Sequence, residues 1–274
     1  MGSPGDDGGS AVQLLLADVD GTLVTSQKVL TDRAVAAVRD LGAAGVRFAV
    51  TSGRPPRGMA MLIDPLALTT PIAAFNGGLV VDPDLSVVDA KTVPADLVPD
   101  VLDLMAADRL DTWIYRGADW YVTDPDGPHV AREAWTVQFQ PTVVDRFDDL
   151  TDGVAKVVGV SDDRDAMARA TAAVRDRFGH RVSAAQSQPY YLDVTHPDAN
   201  KGGVVRYLST RYGIPSDAVA TIGDMPNDVL MFAHSGLSIA MGNASPDVQR
   251  AARRVTATND DDGFAKAVEN FILR

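Results

Sequence analysis

Apolar residues gather in short runs that end on polar ones, and the pattern repeats along the chain. Val12 to Ala17 is an apolar run delivering Asp18 at its tip, and Val46 to Val50 ends in Thr51-Ser52-Gly53-Arg54. Runs of this kind suit strands buried on both faces of a parallel sheet. Between them, Thr31 stands where a helix N-cap is wanted, Val35, Val38 and Leu41 share one helical face, and Gly45 offers the stop. Pro71 to Phe75 is a further short strand, closed by the turn Asn76-Gly77-Gly78. Strand, helix and strand, each strand with polar residues at its carboxyl end, predict a right-handed parallel α/β sheet.

From about Asp82 to Thr195 the texture changes, and all three tryptophans fall there (Trp113, Trp120, Trp135). Thr112 to Tyr115 and Trp120 to Val122 flank Arg116-Gly117-Ala118-Asp119 as a hairpin. Lys156 to Val160, a helix over Arg164 to Phe178 and a strand at Tyr190 to Val194 complete a compact α+β insert. The α/β alternation resumes after Lys201. A helix runs through Tyr212, then come a strand at Ala218 to Ile222, a helix from Asp228, a strand at Leu237 to Met241, and helices from Ser245 and Gly263.

Composition narrows the function classes. The chain has 274 residues and a formal charge of −12, which argues against nucleic acid and anionic membrane as partners. No stretch approaches the roughly 20 apolar residues of a membrane helix. Met1 to Ser10 lacks the basic and apolar regions of a signal peptide and reads as a disordered tail. Cysteine is absent, which excludes disulfides and thiolate chemistry and suits the cytoplasm. Five lysines against twenty arginines give a lysine at a suggestive place slightly more meaning.

Asp18-Val19-Asp20-Gly21-Thr22-Leu23 follows the first strand directly. Two carboxylates two apart can face one centre because Gly21 lets the backbone turn. Beside a divalent cation one can stay ionised and attack phosphorus, while the other holds a proton as acid and then base. An Asp-rich turn is the plainer alternative. Thr51 can donate its hydroxyl to a phosphoryl oxygen, and Ser52 and Gly53 can add backbone N–H groups. Lys201, ahead of Gly202-Gly203, can bring a point charge to a phosphate, or be an ordinary surface lysine. In Gly223-Asp224-Met225-Pro226-Asn227-Asp228, two acids four apart at a strand end suit an oxygen-rich magnesium site, although Asp228 also reads as a helix N-cap.

These four motifs, in this order and each at a strand end, resemble the haloacid dehalogenase (HAD) superfamily of phosphotransferases. Thirty residues separate Asp20 from Thr51, too few for an inserted domain, whereas about 150 lie between Thr51 and Lys201. With Asn76-Gly77-Gly78 and Ser238-Ile239-Ala240-Met241-Gly242-Asn243-Ala244, the chain is similar to the Cof-type, subclass IIB branch. The resemblance implies a Rossmann-like core over residues 11–81 and 196–274, and an α+β cap of C2B type over 82–195.

It also implies roles by position. Asp18 is then the nucleophile and a Mg²⁺ ligand, and Asp20 the acid/base, which also offers its backbone carbonyl to the metal. Asp224 is the second carboxylate ligand, and Asp228 supports the metal directly or through water. Thr51 and Lys201 hold the transferring phosphoryl group, with Asn227 as a phosphate contact and Arg54 and Asn76 as substrate contacts.

The activity implied is a magnesium-dependent phosphatase acting on a small phosphorylated metabolite through an aspartyl phosphate, in a monomer or homodimer. A phosphomutase of the phosphomannomutase type shares the motifs, and a catalytically silent binding module shares the fold. Substrate choice falls to the insert, where Trp113, Tyr115, Arg116, Trp120, His129, Arg132 and Trp135 are candidates. Arg116, at the hairpin turn, leads them.

Overall fold

The computed structural model describes residues 11–273, so the tail expected over residues 1–10 lies outside the described residues. In chain order the strands are β1 (Leu14–Asp18), β2 (Arg47–Thr51), β3 (Ile72–Ala74), β4 (Leu79–Val81), β5 (Val87–Ala90), β6 (Asp111–Arg116) and β7 (Asp119–Val122). They continue with β8 (Thr142–Val143), β9 (Val154–Val160), β10 (Ser183–Gln188), β11 (Tyr191–Thr195), β12 (Val219–Gly223), β13 (Leu237–Ala240) and β14 (Arg254–Val255).

The chain divides into two compact units. The first holds the described residues up to Thr51, Asp64–Thr70 and the residues from Lys201 onward; the second holds Ser52–Ile63 and Pro71–Asn200. The second therefore takes in β3 and β4 as well as the stretch from Asp82.

In the first unit the strands run β14-β13-β12-β1-β2, all parallel. Every residue of β1 and β12 is buried, which explains their apolar runs. The helix Asp32–Ala43 starts where expected: Thr31 Oγ1 accepts from Ala34 N at 3.1 Å, satisfying one of the donors a helix start leaves over. Its buried face is Ala34, Ala37, Val38 and Leu41. The chain leaves β1 toward β2 on one side and returns to β12 on the other. Their carboxyl ends therefore lie at the switch point where open α/β sheets bind ligands.

In the second unit a six-stranded sheet runs β10-β11-β9-β6-β7-β8, antiparallel except for β7 with β8. Helices Val98–Ala107 and Arg164–Phe178 cover one face, packing Val101, Met105, Met167 and Val174 against Ile114, Val157, Leu192 and Val194. Asp163 caps the longer helix by accepting from Asp165 N and Ala166 N.

One expectation needs refinement, and one strand was not foreseen. The helix from Asp228 is only a 3₁₀ turn, Pro226–Asp228, followed by Val229–Phe232. Strand β10 escapes the pattern because Ser183–Gln188 is polar and mostly exposed, an edge strand without alternation.

Candidate active site

Strand pairing places Asp18 directly opposite Thr51, both at strand ends and both buried. From the helix Lys201–Tyr212, Lys201 Nζ donates to Asp18 Oδ1 at 2.6 Å and to Asp228 Oδ1 at 2.5 Å. Asp228 Oδ2 accepts from the backbone N–H groups of Asp224 (2.9 Å) and Met225 (2.8 Å). Asp228 therefore folds back on its own loop as well as facing the lysine, and it gives the helix that follows no side-chain cap, unlike the N-cap that the sequence suggested. Gly223 makes room for this: a Cβ there would lie 2.3 Å from Asp228 Cγ.

Gly21 has φ +83°, and a Cβ on it would fall 2.3 Å from Asp224 Oδ2. The glycine serves the turn and also lets the two acid-bearing loops close on each other. Thr22 Oγ1 donates to Asp224 Oδ1 at 3.2 Å across 202 positions of sequence. Asp20 accepts from Lys28 Nζ at 2.6 Å. Asn227 is exposed on the same loop as Asp224.

The electrostatics follow from burial. Burial would lower the Lys201 ammonium, but Asp18 and Asp228 more than reverse this and hold it cationic. Burial raises the Asp18 carboxyl well above the usual range; Asp228 and Asp224 add to the shift and Lys201 opposes it. Asp224 is pushed up to about 6, by burial first and then by Asp228, against Lys201. Three carboxylates thus share one buried ammonium, and the site is short of positive charge.

Two atoms identify what would fill it. Asp18 Oδ2 and Thr51 Oγ1 are buried without a hydrogen-bond partner among the described residues, and such groups cost stability unless something binds them. Asp18, Asp224 and Asp228 each bring an oxygen within 4.8 Å of the others. All donors are hard oxygens, the set a magnesium ion takes.

The other expected residues belong to the second unit. Ser52 N donates to Ala73 O, Asn76 N to Ser52 O and Phe75 N to Arg54 O. These bonds hold Ser52, Gly53, Arg54 and Asn76 together, and Arg54 Nη1 also donates to Gly58 O. Arg116 is exposed at the end of β6, paired with Asp119. Trp113, Tyr115 and Trp120 are buried, with Tyr115 stacked on Trp120 and Trp113 meeting Trp120 edge-on, whereas Trp135 is exposed. His129 stacks on Tyr190, and the Arg132 guanidinium lies over the same ring.

Sequence reasoning missed the polar groups on this aromatic face of the sheet. Tyr115 Oη donates to Glu133 Oε1 at 2.7 Å, and Lys156 Nζ reaches Asp193 Oδ2 at 3.4 Å beneath the Tyr115 ring. Asp193 Oδ1 and Tyr191 Oη are buried without hydrogen-bond partners among the described residues. Burial raises the Glu133 carboxyl, with Lys156 opposing. The available signal was a single charge interrupting each apolar strand, Lys156 in β9 and Asp193 in β11.

Comparison with known proteins agrees with this fold. A family model described as haloacid dehalogenase-like hydrolase matches residues 15–268. A Bacillus subtilis protein, the 5-amino-6-(5-phospho-D-ribitylamino)uracil phosphatase YitU, is 27% identical over 272 residues, 94% of this chain and 97% of its own. A haloacid dehalogenase-like hydrolase from Bacteroides thetaiotaomicron superposes with TM-score 0.88 at 28% identity, covering 94% of this chain and 98% of that one. The subclass IIB sugar phosphatase BT4131 shares the fold, with TM-score 0.81 at 22% identity over 95% and 99% of the two chains.

Proposed function

The chain belongs to the haloacid dehalogenase-like hydrolase family, and from that membership and the site we propose that it is a magnesium-dependent phosphatase of small phosphorylated metabolites, sugar phosphates or similar phosphomonoesters. The observation that carries this reading is the pair of orphaned oxygens, Asp18 Oδ2 and Thr51 Oγ1, on paired strand ends beside a buried lysine. One is a nucleophile and the other a donor for a phosphoryl oxygen.

Asp18 attacks phosphorus in line as the bond to the leaving oxygen breaks. Asp20 gives that oxygen a proton. Asp20 then takes a proton from the water that attacks the aspartyl phosphate, which frees phosphate and restores Asp18. Lys201 and Thr51 hold the phosphoryl oxygens as charge shifts onto them. Asp18, Asp224 and the Asp20 carbonyl would hold Mg²⁺, with Asp228 supporting it directly or through water, and the ion when bound supplies positive charge for the phosphoryl group.

The second unit sets substrate choice, with residues 82–195 as a C2B-type cap. The phosphate and metal residues touch what every substrate shares, so discrimination must come from elsewhere. A polar face bearing Lys156, Glu133, Asp193 and Tyr191 supports a hydroxyl-rich leaving group.

Phosphate release tested over sugar phosphates, nucleotides, pyridoxal phosphate, flavin mononucleotide and p-nitrophenyl phosphate checks the activity. Free phosphate appears without a bisphosphate activator. Isomerised sugar phosphate that requires the activator would instead show a phosphomutase. In the same screen, Arg116→Ala shifts relative rates among good substrates more than it changes p-nitrophenyl phosphate turnover; equal losses on all would remove Arg116 from specificity.

A pH dependence follows from Asp224. Its folded value, about 6, lies above the ordinary 3.8, so the metal-free protein binds an extra proton between those values and loses stability as pH rises through them. A cation needs the ionised form and offsets that loss. Magnesium therefore raises the melting temperature strongly at pH 7.5, with the rise shrinking as pH falls through about 6. A metal-induced shift that stays constant from pH 5 to 7.5 would contradict this.

A further inference from the structure

The segment Met241-Gly242-Asn243-Ala244 follows β13 and has had no part in the chemistry so far. Asn243 uses its whole amide there. Nδ2 donates to Gly21 O at 2.9 Å and to Asp224 Oδ2 at 3.3 Å, while Oδ1 accepts from Asn259 N at 3.0 Å. Asn259 in turn donates from Nδ2 to Val24 O at 3.0 Å, and Asp260 accepts from Ser26 N at 2.8 Å. Four of these hydrogen bonds tie the loops after β13 and β14 to the turn that carries Asp18 and Asp20, and to Asp224, and the fifth joins the two loops to each other.

The bracket is itself held firmly. Gly242 N donates to Ala257 O, and a Cβ on Gly242 would lie 2.9 Å from Ala257 C and Thr258 N, so the backbones there are in close contact. Asn243 is exposed, yet its amide meets three fixed partners. Thr22 already donates to Asp224 Oδ1, so with Asn243 on Oδ2 both oxygens of that carboxylate are aimed by donors from outside its own loop.

We propose that Asn243 is a positioning residue for the divalent cation: it fixes the Asp224 carboxylate relative to the Gly21 turn, so that the ligand oxygens are in place before the ion arrives. The idea rests on the magnesium reading above. Its physical basis is that outer partners set ligand orientation, and losing one typically weakens metal binding by about 10–100-fold.

Titration calorimetry with Mg²⁺ on metal-free protein tests it, alongside melting of the metal-free forms and steady-state kinetics. Asn243→Ala is expected to weaken Mg²⁺ binding by about 10-fold or more, with kcat at saturating Mg²⁺ and substrate KM changing far less than the affinity. An unchanged Mg²⁺ dissociation constant would overturn the proposal, whatever happens to melting; a lower melting temperature alone would mark a purely structural bond. Asn243→Ser gives the same reading should the alanine variant not fold. Wild-type protein that binds no Mg²⁺ at all would instead overturn the magnesium reading itself, so the two failures are distinguishable.

Discussion

Asp18→Asn abolishes phosphate release while leaving the fold intact. The amide keeps the shape of the carboxylate and can still meet Lys201, but it cannot attack phosphorus. No neighbour can substitute for it. Asp228 has both oxygens committed, to Lys201 and to two backbone donors, and Asp20 is turned toward Lys28. Asp20→Asn is slower by about 10²–10⁴-fold, the usual worth of general acid–base help. That loss is smallest for p-nitrophenyl phosphate, whose leaving group barely needs a proton. The checks are steady-state phosphate release and circular dichroism of each purified variant. Wild-type turnover by Asp18→Asn would refute the mechanism.

Removing magnesium has the second large effect. Excess EDTA brings turnover to background, Mg²⁺ restores it, and Ca²⁺ does not. The cause is the charge imbalance at the site: Asp18, Asp224 and Asp228 face one ammonium, and a phosphoryl dianion must join them. Without a cation the approach of substrate is repulsive. Calcium finds the same hard oxygens, but it takes more ligands at longer distances and spoils the in-line arrangement. Full activity in excess EDTA would refute the assignment, and activity with calcium equal to that with magnesium would refute the geometric argument.

Much of the first unit was legible because its chemistry demands particular residue types at strand ends. The buried runs of β1, β2 and β12 show as apolar sequence, and the residues that end or follow them, Asp18, Thr51 and Asp224, are conspicuous there. Gly21 was legible as a turn but not as a contact, since its closeness to Asp224 depends on strands far apart in sequence. The partners of the acids were hidden for the same reason. Thr22 reaches Asp224 across 202 positions, Asn243 reaches it from the loop of the next strand, and Lys28 reaches Asp20 from a left-handed backbone (φ 61°) that a lysine seldom adopts.

In the second unit, alternation identified the hairpin of β6 and β7 but not which face each residue would occupy. The tryptophans attracted notice by type, yet Trp113 and Trp120 are packing residues. Lys156 and Asp193 were inconspicuous because one charge in an apolar strand reads as an interruption until its partner is known to lie on the neighbouring strand.

The buried Lys201 has a consequence for how the protein lives with its ion. By bridging Asp18 and Asp228 it acts as a built-in counter-ion, keeping the carboxylates together when no external cation is bound. The lysine thus gives two of the three clustered acids a partner supplied by the chain itself. On the magnesium reading proposed above, the fraction of molecules at work then follows the free ion around them, like a dial set by the medium, instead of recording whether each one met an ion while it folded.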